Sequence, residues 1–191
     1  MAKFFTADFH FNESFESSKH SYFRKYAYGF ESPSDMNNLI INNINKFVAE
    51  DDELYIIGDV SVDNDGVNLL SKIKCKNLYL IVGNKDEDKL DILKPYFKSI
   101  KEDCLLKIQN KIFYINHYPT KCLAFYEKSE LVDFCLTGHI YGCFRNYPEM
   151  LNVGVDSLYL CPYSEDMVIH CMNASKKFYG ADVFPYEKYK W

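Results

Sequence analysis

Five short apolar runs in this chain each lead directly into a side chain that can bind a metal. Phe4 to Ala7 is followed by Asp8 and, two residues on, His10; Leu54 to Ile57 by Gly58-Asp59; Leu78 to Val82 by Gly83-Asn84; Phe113 to Asn116 by His117; Phe134 to Thr137 by Gly138-His139. Asp, Asn and His together offer oxygen and imidazole donors, a set suited to borderline divalent ions such as Mn, Fe and Zn, whereas a calcium site would be all oxygen. Taken singly, an Asp-x-His or a Gly-Asp after a strand is ordinary turn chemistry. The weight lies in the repetition, since three of the five histidines stand at or just beyond a run end and only His20 and His170 do not.

Such donors act together only if the ends of the runs share one edge. Lys3 to Ala7, Glu53 to Ile57, Asn77 to Val82, Ile112 to Ile115 and Phe134 to Thr137 are too short for helices, rich in β-branched and aromatic residues, and read as strands. Between the first two, Ser32-Pro33 reads as an N-cap with proline at the first helical position, and Met36, Leu39, Ile40, Ile44, Phe47 and Val48 form one helical face. A second helix is expected over Val67 to Ile73 and a third from near Asp86. This alternation predicts right-handed crossovers and a partly parallel sheet, whose strands' carboxyl ends line one crevice. Leu105 to Ile108 and Lys111 to Ile115, separated by Gln109-Asn110, predict a hairpin, so the C-terminal half is expected to be mixed or antiparallel.

Composition narrows the rest. At 191 residues, against roughly 150 for one domain, with no linker, repeat or low-complexity tract, the chain reads as a single domain over 1–191. Its 22 basic and 27 acidic residues give a net charge of −5, which argues against binding to extended duplex nucleic acid or to a membrane. The seven cysteines form no C-x-x-C pair and read as reduced thiols. The start, Met1 to Phe11, has no signal-peptide pattern, so a cytoplasmic location is expected. Phe11 to Phe30 interleaves Lys19, His20, Arg24 and Lys25 with Tyr22, Phe23, Tyr26 and Tyr28. Such a mixture can stack a base and hold a phosphate, but the acidic balance favours a packed surface loop.

In order and residue type the blocks resemble the calcineurin-like metallophosphoesterases, whose motifs run D-x-H, G-D, G-N-H-[DE], H and G-H-x-H. Here they stand as Asp8-Phe9-His10, Gly58-Asp59, Gly83-Asn84-Lys85-Asp86, His117-Tyr118-Pro119 and Gly138-His139-Ile140-Tyr141-Gly142. The resemblance covers roughly residues 4 to 156. It looks most like the small, uncapped bacterial and phage members, which share the Met-Asn helix, the His-Tyr-Pro and an Asn-Val-Gly-Val-Asp stretch, here Asn152 to Asp156. It implies a four-layer α/β/β/α sandwich with two mixed sheets and two divalent ions, Mn, Fe or Zn. Asp8 and His10 would hold the first ion, Asn84, His117 and His139 the second, and Asp59 would bridge both. A bridging carboxylate offsets the repulsion of cations about 3.5–4 Å apart. The implied activity is hydrolysis of a phosphomonoester or phosphodiester by a metal-bound hydroxide, with Asn84, Lys85 and His117 catalytic and Lys85, Tyr141 and Arg145 contacting substrate. The implied partner is a small phosphorylated molecule, a nucleotide being one candidate.

Two positions depart from the family pattern. Tyr141 replaces the second histidine of G-H-x-H, a first-site ligand, and a phenol with a pKa of about 10 ligates poorly unless the metal ionises it. Glu13 and His20 are the candidate replacements, although a solvated loop carboxylate and an ordinary surface histidine are the readings favoured for them. Lys85 replaces the histidine of G-N-H-[DE]; its charge suits phosphoryl oxygens better than its pKa suits proton transfer at neutral pH. These two substitutions keep alive a rival reading, a weakened pseudoenzyme that retains one metal site and binds a nucleotide or a protein. A closed structural zinc site fits less well, because the donors mix Asp and Asn with His at an open edge. Asp156 is expected to fix a turn or orient a ligand histidine.

Overall fold

Successive residues along the strands face opposite sides of each sheet, and that alternation builds three cores. The computed structural model describes residues 1–178; residues 179–191, the end of the expected 1–191 domain, lie outside them. In chain order the first half holds β1 (Lys3–Thr6), α1 (Lys19–Tyr28), α2 (Pro33–Phe47), β2 (Glu53–Ile56), α3 (Asn64–Val67), β3 (Asn77–Ile81), α4 (Leu90–Leu93) and β4 (Ser99–Lys101). The second half holds β5 (Asp103–Ile108), β6 (Lys111–Asn116), α5 (Pro119–Tyr126), β7 (Phe134–Thr137), β8 (Asn146–Tyr147), β9 (Met150–Asn152), β10 (Tyr163–Ser164) and α6 (Glu165–Phe178). One five-stranded sheet runs β10-β1-β2-β3-β4, parallel except for β10; the other runs β5-β6-β7-β9-β8, with β6, β7 and β9 parallel between two antiparallel edges.

Phe5, Tyr55, Ile57 and Ile81 of the first sheet meet Phe113, Ile115, Phe134, Leu136 and Leu151 of the second, with Val168 and Met172 of α6 closing the same core. The alternate residues Leu54, Ile56, Leu78 and Leu80 pack on Met36, Ile40 and Ile44 of α2. Tyr114, Cys135 and Met150 pack on Cys122 of α5. A period of two thus gives each sheet two buried faces. The layers are helix, sheet, sheet, helix, the expected α/β/β/α sandwich with two mixed sheets.

The capping box of α2 forms as its sequence suggests: Ser32 Oγ accepts from the Asp35 N–H, and Asp35 Oδ2 accepts from the Ser32 N–H. Its buried stripe is Met36, Asn37, Ile40, Ile41 and Ile44, turned from the expected face, so Leu39 and Phe47 are exposed. The helix expected over Val67 to Ile73 is one α turn followed by a 3₁₀ turn over Asn68–Lys72, and the one near Asp86 is likewise 3₁₀, a single α turn, and 3₁₀ again. The loop expected over Phe11 to Phe30 is helical for half its length: Ser18 caps α1, and Gly29, at φ 67, ends it. The buried residues of α1 are Ser21 and Arg24, both polar, so apolar periodicity does not reveal it. The short strands β4, β8, β9 and β10 and helices α5 and α6 also lie outside the elements expected from the sequence. All seven cysteines are free, and among the described residues no helix is long and apolar enough to cross a membrane.

Gly58, at φ +84, turns the chain from β2 into Asp59, and a Cβ there would meet His117 Nδ1 and the backbone of Gly83. Left-handed backbone costs a non-glycine residue about 1–2 kcal/mol. Gly58→Ala should therefore lower stability by at least that much, and the melting temperature by roughly 2–8 °C or more for a chain of this size. A melting curve superimposable on that of the unaltered protein would contradict the close packing of these loops.

Candidate metal centre

The loops beyond β1 and β2 stay side by side after the strands end. The N–H groups of Asp8 and His10 donate to the carbonyls of Gly58 and Asp59, each at 3.0 Å, and Phe11 bridges Ser61. Asp8, His10, Asp59, His139 and Tyr141 all take positive φ, between 49° and 75°. Left-handed non-glycine residues persist only where their surroundings hold them, and these five gather at one edge of the two sheets.

Asp8, His10 and Asp59 are buried, with donor atoms all within 4.8 Å of one another; Asp59, His117 and His139 form a second such group. Asp59 belongs to both. Its Oδ2 lies 3.4 Å from His10 Nε2 and 3.6 Å from His117 Nε2, while Oδ1 accepts from the Lys85 N–H at 2.9 Å. His117 Nδ1 is 2.8 Å from the Ile57 carbonyl, which makes it the protonated nitrogen and leaves the Nε2 lone pair free. That lone pair faces Asn84 Oδ1 at 3.3 Å and His139 Nδ1 at 3.2 Å, and His139 Nδ1 is 3.2 Å from the same Asn84 oxygen. Both Asp8 oxygens accept from the His139 N–H at 3.0 Å, which joins the two sheets.

Burial dominates the electrostatics. It pushes the Asp8 and Asp59 carboxyls above their ordinary range, against the opposing pull of the His139 and Lys85 N–H groups. It also drives His10 down, helped by Arg24 and Lys85, and takes His117 to about 4. The result is a cluster of acceptors turned toward one another, and neither ring nitrogen of His10 has a hydrogen-bond partner. Buried groups of this kind require a cation or donors they do not have here. A divalent ion in each group would supply it, and the mixed oxygen and imidazole donors fit Mn, Fe or Zn.

Three further residues hold the loops. Asp86, whose carboxyl is raised to about 6 by burial, accepts N–H groups from Asp59, Val60 and Gly83, each at 2.9 Å, and so ties the second and third loops together. Asn152 donates to the Tyr141 and Phe144 carbonyls and accepts from the Gly154 N–H. Arg24, expected on a surface loop, is 1% exposed. Its guanidinium donates to both Asp156 oxygens, at 2.8 and 2.7 Å, and to the Asp8 and Phe9 carbonyls, at 2.7 and 3.1 Å. Asp156 thus orients no histidine directly; it fixes the arginine that grips the first loop.

The remaining candidates fall apart. Lys85 and Asn84 stand beside the groups, and Asn84, His139 and Tyr141 line a cavity of about 330 Å³ with His20, Asp59, Ile140 and Cys143. The Tyr141 ring stacks against two imidazoles, with centroids 5.2 Å from His10 and 3.9 Å from His20. Arg145 lies 5.6 Å over the Tyr163 ring and does not line this cavity. Glu13, expected to be solvated, is 7% exposed beside His10. The exposed His20 lines the cavity through its stack on Tyr141.

Two solved structures share the architecture. A protein of unknown function from Aquifex aeolicus is 22% identical, with a TM-score of 0.68 covering 88% of this chain and 98% of its own. A second, described as a novel archaeal phosphodiesterase, is 18% identical, with a TM-score of 0.51 covering 81% of this chain and 82% of its own. The likeness is one of fold. No family model matches the chain, and no curated protein sequence does.

Removing Arg24 would strand the buried Asp156 carboxylate and two loop carbonyls. Arg24→Met should cost about 3–5 kcal/mol in urea denaturation, and Arg24→Lys should rescue little, since an ammonium cannot reproduce the planar fork. Loss below about 1 kcal/mol would show that the pair does not hold the loop.

Proposed function

We propose that the protein is a metal-dependent phosphoesterase that hydrolyses a phosphomonoester or a phosphodiester. The observation that carries this is the sharing of Asp59 between a buried group, with Asp8 and His10, and a second group in which buried His117 is joined by the more exposed His139 at an open cavity. A pair of bound divalent ions would supply Lewis-acid polarisation of the phosphoryl group and a water acidic enough to react near neutral pH. In this reading Asp8, His10 and Asp59 hold one ion, and Asp59, Asn84, His117 and His139 the other.

The chain's own residues prepare the rest. The Lys85 N–H fixes one Asp59 oxygen and leaves the other directed at both groups. The Ile57 carbonyl fixes the His117 tautomer, and the exposed Lys85 ammonium, next in the chain to Asn84, offers charge to a phosphoryl or leaving oxygen. Burial and the nearby Glu13, Asp8 and Asp59 carboxylates raise the Tyr141 pKa, so its hydroxyl is a neutral donor at the cavity wall. An open cavity of this size suits a small phosphorylated molecule, a nucleotide among them, and Mn is the first ion to try. The rival reading, a fold that binds a nucleotide or a protein without turnover, is favoured by the Tyr141 stack on His10, which leaves the first group one imidazole short of the family pattern.

Metal analysis of protein purified without chelators, and turnover of an aryl monoester and an aryl diester with Mn, separate the two. Two ions per chain and turnover are expected; one ion and no turnover favour the rival. Asp59→Asn keeps the shape but loses the shared charge, and should lower metal content and cut turnover by roughly 10³ or more. Unchanged stoichiometry and rate in that variant would end the binuclear reading. Tyr141→His should raise first-site occupancy and hydrolysis at limiting Mn, whereas a fall in rate would give the phenol a role of its own.

A further inference from the structure

Glu13 is a buried carboxylate that the proposed hydrolysis does not use. The backbone brings it back beneath His10 in a tight turn, with the Glu13 N–H donating to the His10 carbonyl at 3.0 Å and Asn12 at φ 63. That turn is pinned from α2, where Asn37 Nδ2 donates to Asn12 Oδ1 at 2.8 Å. Glu13 Oε2 then lies 3.6 Å from His10 Nδ1, roughly 0.5 Å beyond a hydrogen bond. The other ring nitrogen, Nε2, faces Asp59. The two nitrogens of an imidazole point away from each other, so the edge that meets Glu13 is not the edge that meets the donor group.

A carboxylate in this place needs a donor. Ser21 Oγ of α1 donates to Glu13 Oε2, and Ser18 Oγ lies 2.8 Å from Ser21 Oγ while accepting the Ser21 N–H. Arg24, one turn further along α1, commits its N–H groups to Asp156 and to the Asp8 and Phe9 carbonyls. A single hydroxyl leaves much of a buried carboxylate's acceptor capacity unmet, and His10 Nδ1, the ring nitrogen that faces it, has no hydrogen-bond partner of its own.

We infer that Glu13 is a positioning residue for His10: held by Ser21, it accepts the Nδ1–H, fixes the ring and tautomer, and leaves the Nε2 lone pair for an ion in the first group. A carboxylate behind a ligating histidine makes the imidazole a stronger donor. This answers the weakness that Tyr141 introduces, by strengthening an existing ligand rather than by replacing the missing one. The inference rests on the metal reading for its consequence, though not for its geometry.

The test combines two measurements on the full chain. Nitrogen-15 NMR of the metal-free protein at about pH 8 reads the His10 tautomer, and calorimetric titration with Mn reads the affinity of each group. In the unaltered protein His10 should carry its proton on Nδ1, and Glu13→Ala should convert it to a mixture. The same variant should weaken the first group by about 10–100-fold and leave the second within twofold, and Glu13→Gln, which keeps an acceptor, should recover most of that loss. Ser21→Ala should move both readouts the same way by a smaller factor, and serves in place of Glu13→Ala if the latter melts below the assay temperature. An Nε2–H tautomer in the unaltered protein, or affinity unchanged in Glu13→Ala, overturns the inference. So does a loss in Glu13→Gln as large as in Glu13→Ala, because it would mark Glu13 as a direct ligand. If the unaltered chain binds no ion at the first group, the metal reading fails, and the tautomer still decides whether Glu13 holds the ring.

Discussion

Asp8 and Asp59 are buried together with His10 and His117, and every one of them presents an unshared electron pair to its neighbours. Desolvation disfavours the charged form of each group, and the carboxylates also repel one another. A fold left to itself would not collect such groups in its interior. Here the surrounding chain is built to tolerate them: Asp86 gathers three N–H groups across two loops, Arg24 grips the first loop, and the His139 N–H crosses between sheets to Asp8. Each tie is a hydrogen bond to backbone or from it, so the loops are held in left-handed conformations that their side chains do not favour. The strain and the buried polarity lie at the same edge, as expected where binding rather than stability shapes a structure.

The parts of this design that follow apolar periodicity are legible in the sequence. Strands β1, β2, β3, β6 and β7 show as short runs, and the donor after each run is where the loop begins; the capping box of α2 is equally local. What stays hidden is whatever depends on polar burial. The side chains that α1 buries are Ser21 and Arg24, and a search for a repeating apolar face passes over a serine and an arginine. Arg24 and Asp156 are 132 residues apart, so nothing local marks them as a pair. Glu13 reads as a solvated carboxylate because its burial is created by α1, the very element that apolar spacing does not reveal. Arg145 stands just after the last motif, yet the Tyr163 ring claims it instead of the cavity.

α1 therefore changes the meaning of the segment after the first motif. Its exposed Tyr22, Phe23 and Tyr26 are the conspicuous residues in the sequence, yet its structural work is done by the opposite face. Ser21 and Arg24, three residues apart, share that face, and between them they reach Glu13, Asp8, Phe9 and Asp156. One helix thus ties the first loop to the stretch after β9, across the edge where the two sheets meet.

The same geometry gives Tyr141 a physical account. In place of an imidazole able to donate a lone pair, this position carries a ring stacked against both His10 and His20. The stack excludes water from one side of His10, and exclusion of water strengthens every charge interaction that His10 makes. The two donor groups are then unequal in kind. The second would hold an ion by number of donors, with Asn84, His117 and His139 converging on Asp59, whereas the first has fewer donors and would rely on how firmly His10 is aimed. A centre of this sort responds more to residues behind His10 than a fully ligated one would, because each remaining ligand carries a larger share of the affinity.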